Sequence, residues 1–145
     1  MLIDRGQIET LIPHANPMCL LDGVIHWDET RIRCVSQSHR DEKNPLRNRG
    51  RLNTICSLEY AAQAMAVHGG LAGTFDRRSK SGYLVAVRNL RCHTERIDTL
   101  TGDLVVDAER LLGDERRVVY GFSVRSGEKD LLTGRAVVVL EAGRE

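Results

Sequence analysis

The chain has 145 residues, enough for one domain that buries a core without disulfides or a structural metal. Its formal net charge is +1, from 21 Lys and Arg against 20 Asp and Glu, and the basic residues are spread along the chain instead of forming a stripe with interleaved aromatics. No nucleic-acid partner is expected from such a surface.

The N-terminus, "MLIDRGQIETLIPH", carries charges from its fourth residue on, and neither it nor any later stretch is apolar for long enough to be a signal peptide or membrane span. Its apolar residues Ile3, Ile8, Leu11 and Ile12 predict a short helix ended by Pro13. "MCLLDGVIHWDETRIRCVSQSH" then holds two apolar runs, Met18 to Trp27 and Ile32 to Ser36, separated by "DET". They predict an antiparallel hairpin with a bulge at Gly23.

Residues 40–54, "RDEKNPLRNRGRLNT", are polar and aperiodic and predict a long loop, a length that in compact domains usually serves function. Thr54 is placed to cap a helix running to about Ala72, where Gly69, Gly70 and Gly73 weaken and stop it. Leu58, Ala61, Ala62, Met65 and Ala72 mark its apolar face. "GTFDRRSKSG" is a second loop, after which "YLVAVRNLRCHTE", "DLVVDAERLLG", "RRVVYGFSVRSG" and "KDLLTGRAVVVLEAG" read as strands joined by turns. The order of hairpin, central helix and strand meander predicts an α+β domain over 1–145, with an antiparallel sheet wrapped around one helix.

The stretch that carries chemistry is "SLEYAAQAMAVHGG", where Glu59 heads a run of small, apolar, helix-forming residues. An acid in a first turn complements the helix dipole. Beside Gln63 and flanked by Leu and Ala, it also has the setting of a functional carboxyl. Cys19, Cys34, Cys56 and Cys92 show neither a C-x-x-C pair nor metal-ligand spacing, so they read as small buried hydrophobes or free thiols of a cytoplasmic protein; no metal or other cofactor is expected.

Order and residues together resemble the hot-dog fold of 3-hydroxyacyl-acyl-carrier-protein dehydratases. "IPHANPMCLLDGV" is similar to that family's L-P-H-R-x-P-x-L-L-V-D segment at Pro13, His14, Pro17, Leu20 and Asp22, and "LEYAAQA" to its I-E-A-M-A-Q-A helix start at Glu59, Ala62, Gln63 and Ala64. Thr101-Gly102-Asp103 stands where the family has Pro-Gly-Asp.

The resemblance implies that Glu59 is the helix-borne acid, enclosed between helix and sheet, working with a histidine from the preceding loop of a partner subunit. Dehydration needs such a pair: a base takes a C2 proton, an acid protonates the leaving hydroxyl, and a donor at the helix N-terminus polarises the thioester carbonyl. The family's loop, H-F-P-G-H-P-x-M-P-G-x-x-x-x-E, aligned on Glu59 without gaps, puts its histidines at Pro45 and Arg49 and its Pro-Gly at Asn53-Thr54. A slip of one residue brings Asn44 to the first histidine position, and an amide is no general base near neutral pH.

His39 is then the substitute base within the chain, since His68 lies nine residues beyond Glu59, on the opposite helix face. The residues expected around the substrate are Asn44, Pro45, Thr54, Ile55, Cys56 and Gln63. The loop "NPL" and helix start "CSLEY" are also similar to dehydratase-like proteins of aryl-polyene clusters, some of which serve as partner subunits of a complete dehydratase.

Three readings follow: a dehydratase acting on acyl groups held as thioesters on acyl carrier protein, an incomplete partner subunit, or a hot-dog thioesterase. A homodimer or heterodimer is expected, with higher assembly open, and the dehydratase reading implies that two sheets join edge to edge.

Overall fold

A computed structural model describes residues 2–12, 19–73 and 80–142; for 80–83 and 141–142 the description is of the backbone. The elements are β1 (Ile3–Asp4), α1 (Arg5–Leu11), β2 (Gly23–Trp27), β3 (Arg31–Ser36), α2 (Ser57–Leu71), β4 (Lys80–Cys92), β5 (Leu104–Gly113), β6 (Arg117–Ser126) and β7 (Lys129–Ala142), with 3-10 turns at Ser38–Arg40 and Thr54–Cys56. Among the described residues no helix is long and apolar enough to cross a membrane.

All seven strands form one sheet in the order β1-β2-β3-β5-β6-β7-β4, and every pairing is antiparallel. Only β5, β6 and β7 form the expected meander. The chain leaves β3, crosses by the 37–53 loop and α2, and lays β4 on the far edge against β7, so that β3 and β5 become neighbours. Local alternation decides that a segment is a strand, but not which partner it takes.

That alternation also divides the sheet's faces. Ile32 and Cys34 of β3, Leu104, Val106 and Ala108 of β5, Val118, Tyr120, Phe122 and Val124 of β6, and Leu132, Ala136 and Val138 of β7 are buried. The opposite face holds paired charges, with Arg31 Nε 2.6 Å from Glu109 Oε2 and Arg33 Nε 2.6 Å from Asp107 Oδ1. Exposed pairs of this kind contribute about 0–1 kcal/mol each, whereas burying a Leu, Val or Ile contributes roughly 1.5–3 kcal/mol, so the inner face holds the sheet to its helix.

α2 rests against β3, β5 and β6, and α1 packs on α2. The buried surface of α2 is wider than the apolar face read from the sequence: Tyr60, Ala61, Gln63, Ala64, Met65, Val67, His68 and Gly69 are all enclosed, with Leu58 and Ala62 half-buried. A helix surrounded by a curved sheet buries more than a single stripe.

Asp4 caps α1 in a capping box with Gln7. α2 begins at Ser57, three residues after the expected cap, and the Thr54 side chain makes no capping bond. Gly73, at φ +78°, ends α2 in the left-handed conformation that residues with a Cβ rarely take. The bulge in the first hairpin falls between Val24 and His26, while Gly23 is paired in register with Val35.

Candidate active site at the head of the central helix

The entry to α2 is strapped to the segment that follows β4. The Leu52 N–H donates to Asp98 Oδ1 at 3.0 Å, the Ile97 N–H to the Leu52 carbonyl at 2.9 Å, and the Thr54 N–H to the Glu95 carbonyl at 2.9 Å. Arg96 closes a two-point ion pair on Asp98; with the Leu52 N–H, its guanidinium holds the carboxyl well below the usual carboxylate range. The Ser57 hydroxyl donates to the Thr54 carbonyl at 2.6 Å, which turns the chain into the helix. Glu59 leaves the first turn outward and its neighbour Tyr60 inward, since consecutive helical residues are about 100° apart.

Glu59 is exposed, so the expected enclosure between helix and sheet does not exist within one chain. Beside it in sequence, Ile55 is 47% exposed and Cys56 half-buried; Pro45, in the preceding loop, is also exposed. Thr54 is buried, and its hydroxyl oxygen is one of two buried side-chain polar atoms without a hydrogen-bond partner among the described residues. A buried hydroxyl left open at a helix head is a donor available to a ligand.

The other expected substrate contacts turn inward. Asn44 donates its amide to the Ser38 carbonyl at 2.8 Å and to Tyr60 Oη at 3.0 Å, while its Oδ1 accepts the Leu46 N–H at 2.9 Å. Gln63 Oε1 accepts the Leu20 N–H at 2.8 Å.

His39 is fully buried, with Nε2 3.0 Å from the Leu100 carbonyl. A carbonyl only accepts, so Nε2 carries the hydrogen and Nδ1 is the free lone pair; Nδ1 is the second unpartnered buried atom. Burial pushes the pKa of this imidazole down.

His68 is buried against Tyr120, away from Glu59, as helical spacing requires. His26 and His93 are exposed, and His14 lies outside the described residues together with Pro13 and Pro17. No three His, Cys, Asp or Glu side chains among the described residues are grouped to hold a metal ion.

Tyr60, which entered the sequence reading only as the end of the helix start "CSLEY", and Ser36 and Ser38, which were not singled out, join the loop to the helix. Their one signal was a tyrosine placed among alanines on a buried helix, where a polar tip needs a partner.

Comparison with known proteins gives this chain a lineage. The profile of the ApeP-like family, described as ApeP dehydratase, matches residues 6–142. A protein of Xanthomonas campestris pv. campestris named 3-hydroxyacyl-[acyl-carrier-protein] dehydratase FabZ is 31% identical over 99% of this chain and 94% of its own length. Its namesake in Xanthomonas oryzae pv. oryzae is 30% identical with the same coverage.

Among solved structures, the dehydratase heterocomplex ApeI:P from Xenorhabdus doucetiae superposes with a TM-score of 0.77 at 25% identity, covering 95% of this chain and 91% of that one. A Haemophilus influenzae thioesterase shares the fold, with a TM-score of 0.64 at 14% identity over 85% of this chain and 80% of its own. With a hot-dog sheet around α2 and the family's match running from residue 6 to 142, the chain belongs to the ApeP-like dehydratase family.

Proposed function

We propose that this protein takes part in dehydrating 3-hydroxyacyl groups carried as thioesters on acyl carrier protein, in the cytoplasm, with Glu59 as the general acid. Exposure of Glu59 at the head of an otherwise enclosed helix carries the reading. A base removes a proton from C2, the C3–O bond breaks, and the leaving hydroxyl takes the Glu59 proton and departs as water, leaving a C2–C3 double bond. The unpartnered Thr54 hydroxyl is suited to donate to the thioester carbonyl, with Ile55 and Cys56 lining the same edge.

The base is either His39 or a group supplied by a second subunit. His39 is enclosed and its Nε2 is committed to Leu100, so its use requires the 38–46 segment to open. A partner's base requires no such opening, which favours a heteromeric enzyme in which this chain supplies the acid. One structural neighbour, ApeI:P, is a dehydratase heterocomplex, which supports a heteromeric reading. The seam would form at β4, the sheet edge that exposes Leu84, Val85 and Leu90.

The test is incubation of the protein, alone and with a histidine-bearing dehydratase-type subunit, with a 3-hydroxyacyl carrier-protein thioester, resolving products by mass. Loss of water supports the proposal, and its appearance only in the mixture supports the heteromeric form. Loss of the acyl group would make the protein a thioesterase and overturn the reading.

A further inference from the structure

Four segments distant in sequence meet at one buried point beside the candidate acid. Gln63 Oε1 accepts the Leu20 N–H at 2.8 Å. The Ser36 and Ser38 hydroxyls lie 2.5 Å and 2.8 Å from the Leu20 carbonyl, so both backbone polar groups of Leu20 are taken. Ser38 Oγ is 2.7 Å from Tyr60 Oη, and Tyr60 Oη is 3.0 Å from Asn44 Nδ2.

The chemistry of the groups assigns the hydrogens. An amide nitrogen only donates and a carbonyl only accepts. With both serines donating to Leu20, the chain runs in one direction: Asn44 donates to the Tyr60 oxygen, the Tyr60 hydroxyl donates to Ser38, and Ser38 donates to the Leu20 carbonyl. Tyr60 is wholly buried, and burial pushes its phenol pKa up, so it remains a donor throughout the physiological range.

Packing alone does not call for this arrangement. A phenylalanine would fill nearly the same space without a hydroxyl to satisfy, and a buried polar hub is costly unless every member is bonded. What the hydroxyl adds is a link between α2 and the 38–46 segment. Within the loop itself, Arg47 binds the carbonyls of His39, Asp41 and Gly50. His39 and Arg40 tie its start to Leu100 and Thr101. Among the described residues, the Tyr60 hydroxyl bonds the loop to the helix turn that bears Glu59.

We propose that Tyr60 is a positioning residue, whose hydroxyl holds the Ser38–Asn44 segment against the first turn of α2, the turn that carries Glu59; this rests on the reading of Glu59 as the acid. A displacement of about 1 Å at a reacting group is enough to cost on the order of 100-fold in rate.

The test uses Tyr60→Phe, with Asn44→Ala breaking the same chain from the loop side. In whichever assembly the wild type turns over, each variant is expected to lose ten- to a hundred-fold in kcat while KM stays within about threefold, and the double variant to lose no more than the worse single one. Amide hydrogen exchange across 38–47 should quicken at least tenfold, with β5, β6 and β7 unchanged. Unaltered exchange in the loop overturns the clamp. Faster loop exchange with wild-type kcat overturns the positioning role. Full turnover by Glu59→Gln removes the underlying reading and the positioning role with it, an outcome distinct from both because it leaves the Tyr60→Phe exchange result standing.

Discussion

His68 Nδ1 lies 2.7 Å from Tyr120 Oη, and the opposite ring nitrogen lies 2.9 Å from the Asp28 carbonyl. Because the carbonyl can only accept, Nε2 carries the hydrogen and Nδ1 accepts from the tyrosine. The two rings meet edge to face, with centroids 5.6 Å apart and planes at 89°. One neutral imidazole thus joins the last turn of α2 to β6 and to the β2–β3 turn.

That arrangement predicts acid sensitivity well above the range of carboxylates. Burial lowers the pKa of His68 and of His39, against smaller contributions of both signs from nearby Arg110 and Asp28 and from Arg40 and Asp103 respectively. The unfolded chain therefore binds more protons than the folded one below the ordinary imidazole value of about 6.5, and stability falls as pH drops from there through the lowered folded values, by up to about 1.4 kcal/mol per pH unit per group. Tm followed from pH 7.5 to 5.0 should decline, and His68→Gln should flatten the decline. A Tm independent of pH over that range would contradict the assignment.

Glu59→Gln separates chemistry from folding. The side chain is exposed, so the unfolding free energy should change by no more than about 0.5 kcal/mol, while water loss from the acyl thioester should fall about 10²–10⁴-fold. An active Gln variant would remove Glu59 from the proposed mechanism.

Asp98 holds the helix entry from outside α2, through its bonds to the Leu52 N–H and Arg96. Its folded pKa is depressed, so its contribution is present above the unfolded value near 4 and is lost as pH falls below it toward the folded value. At pH 7, Asp98→Asn should cost about 1.5–3 kcal/mol in urea denaturation, the range for hydrogen bonds to a charged group, and its effect should shrink toward pH 3. A pH-independent difference would show that shape rather than charge is what matters.

Gly134 faces Phe122 across the β6–β7 ladder, and a Cβ built there would lie 2.9 Å from Phe122 Cζ and 3.3 Å from Leu90 Cδ1. Gly134→Ala should cost about 1–3 kcal/mol as overpacking, and Phe122→Leu in the same chain should recover part of that loss. Equal Tm values for Gly134→Ala and the wild type would mean that the ring moves aside freely.

How far the sequence was legible follows a physical division. The alternation in "DLVVDAERLLG" and "RRVVYGFSVRSG" specified β5 and β6 and their inward residues, because a two-residue period is a local property. Small residues between Thr54 and Gly73 specified the central helix, and Glu59 at its head pointed to a family with an acid there.

Tertiary structure decided the placement of β4 at the far edge, the width of the buried surface on α2, and the inward turn of His39, Asn44 and Gln63. Each depends on partners remote in sequence: His39 meets Leu100 at a separation of 61 residues, and Gln63 meets Leu20 at 43. Spacing along a chain reports which residues share a face, whereas hydrogen-bond commitment depends on which other segments are brought to that face. Asn44 therefore reads as a substrate contact in the sequence, and in the folded chain its amide is spent on Ser38 and Tyr60.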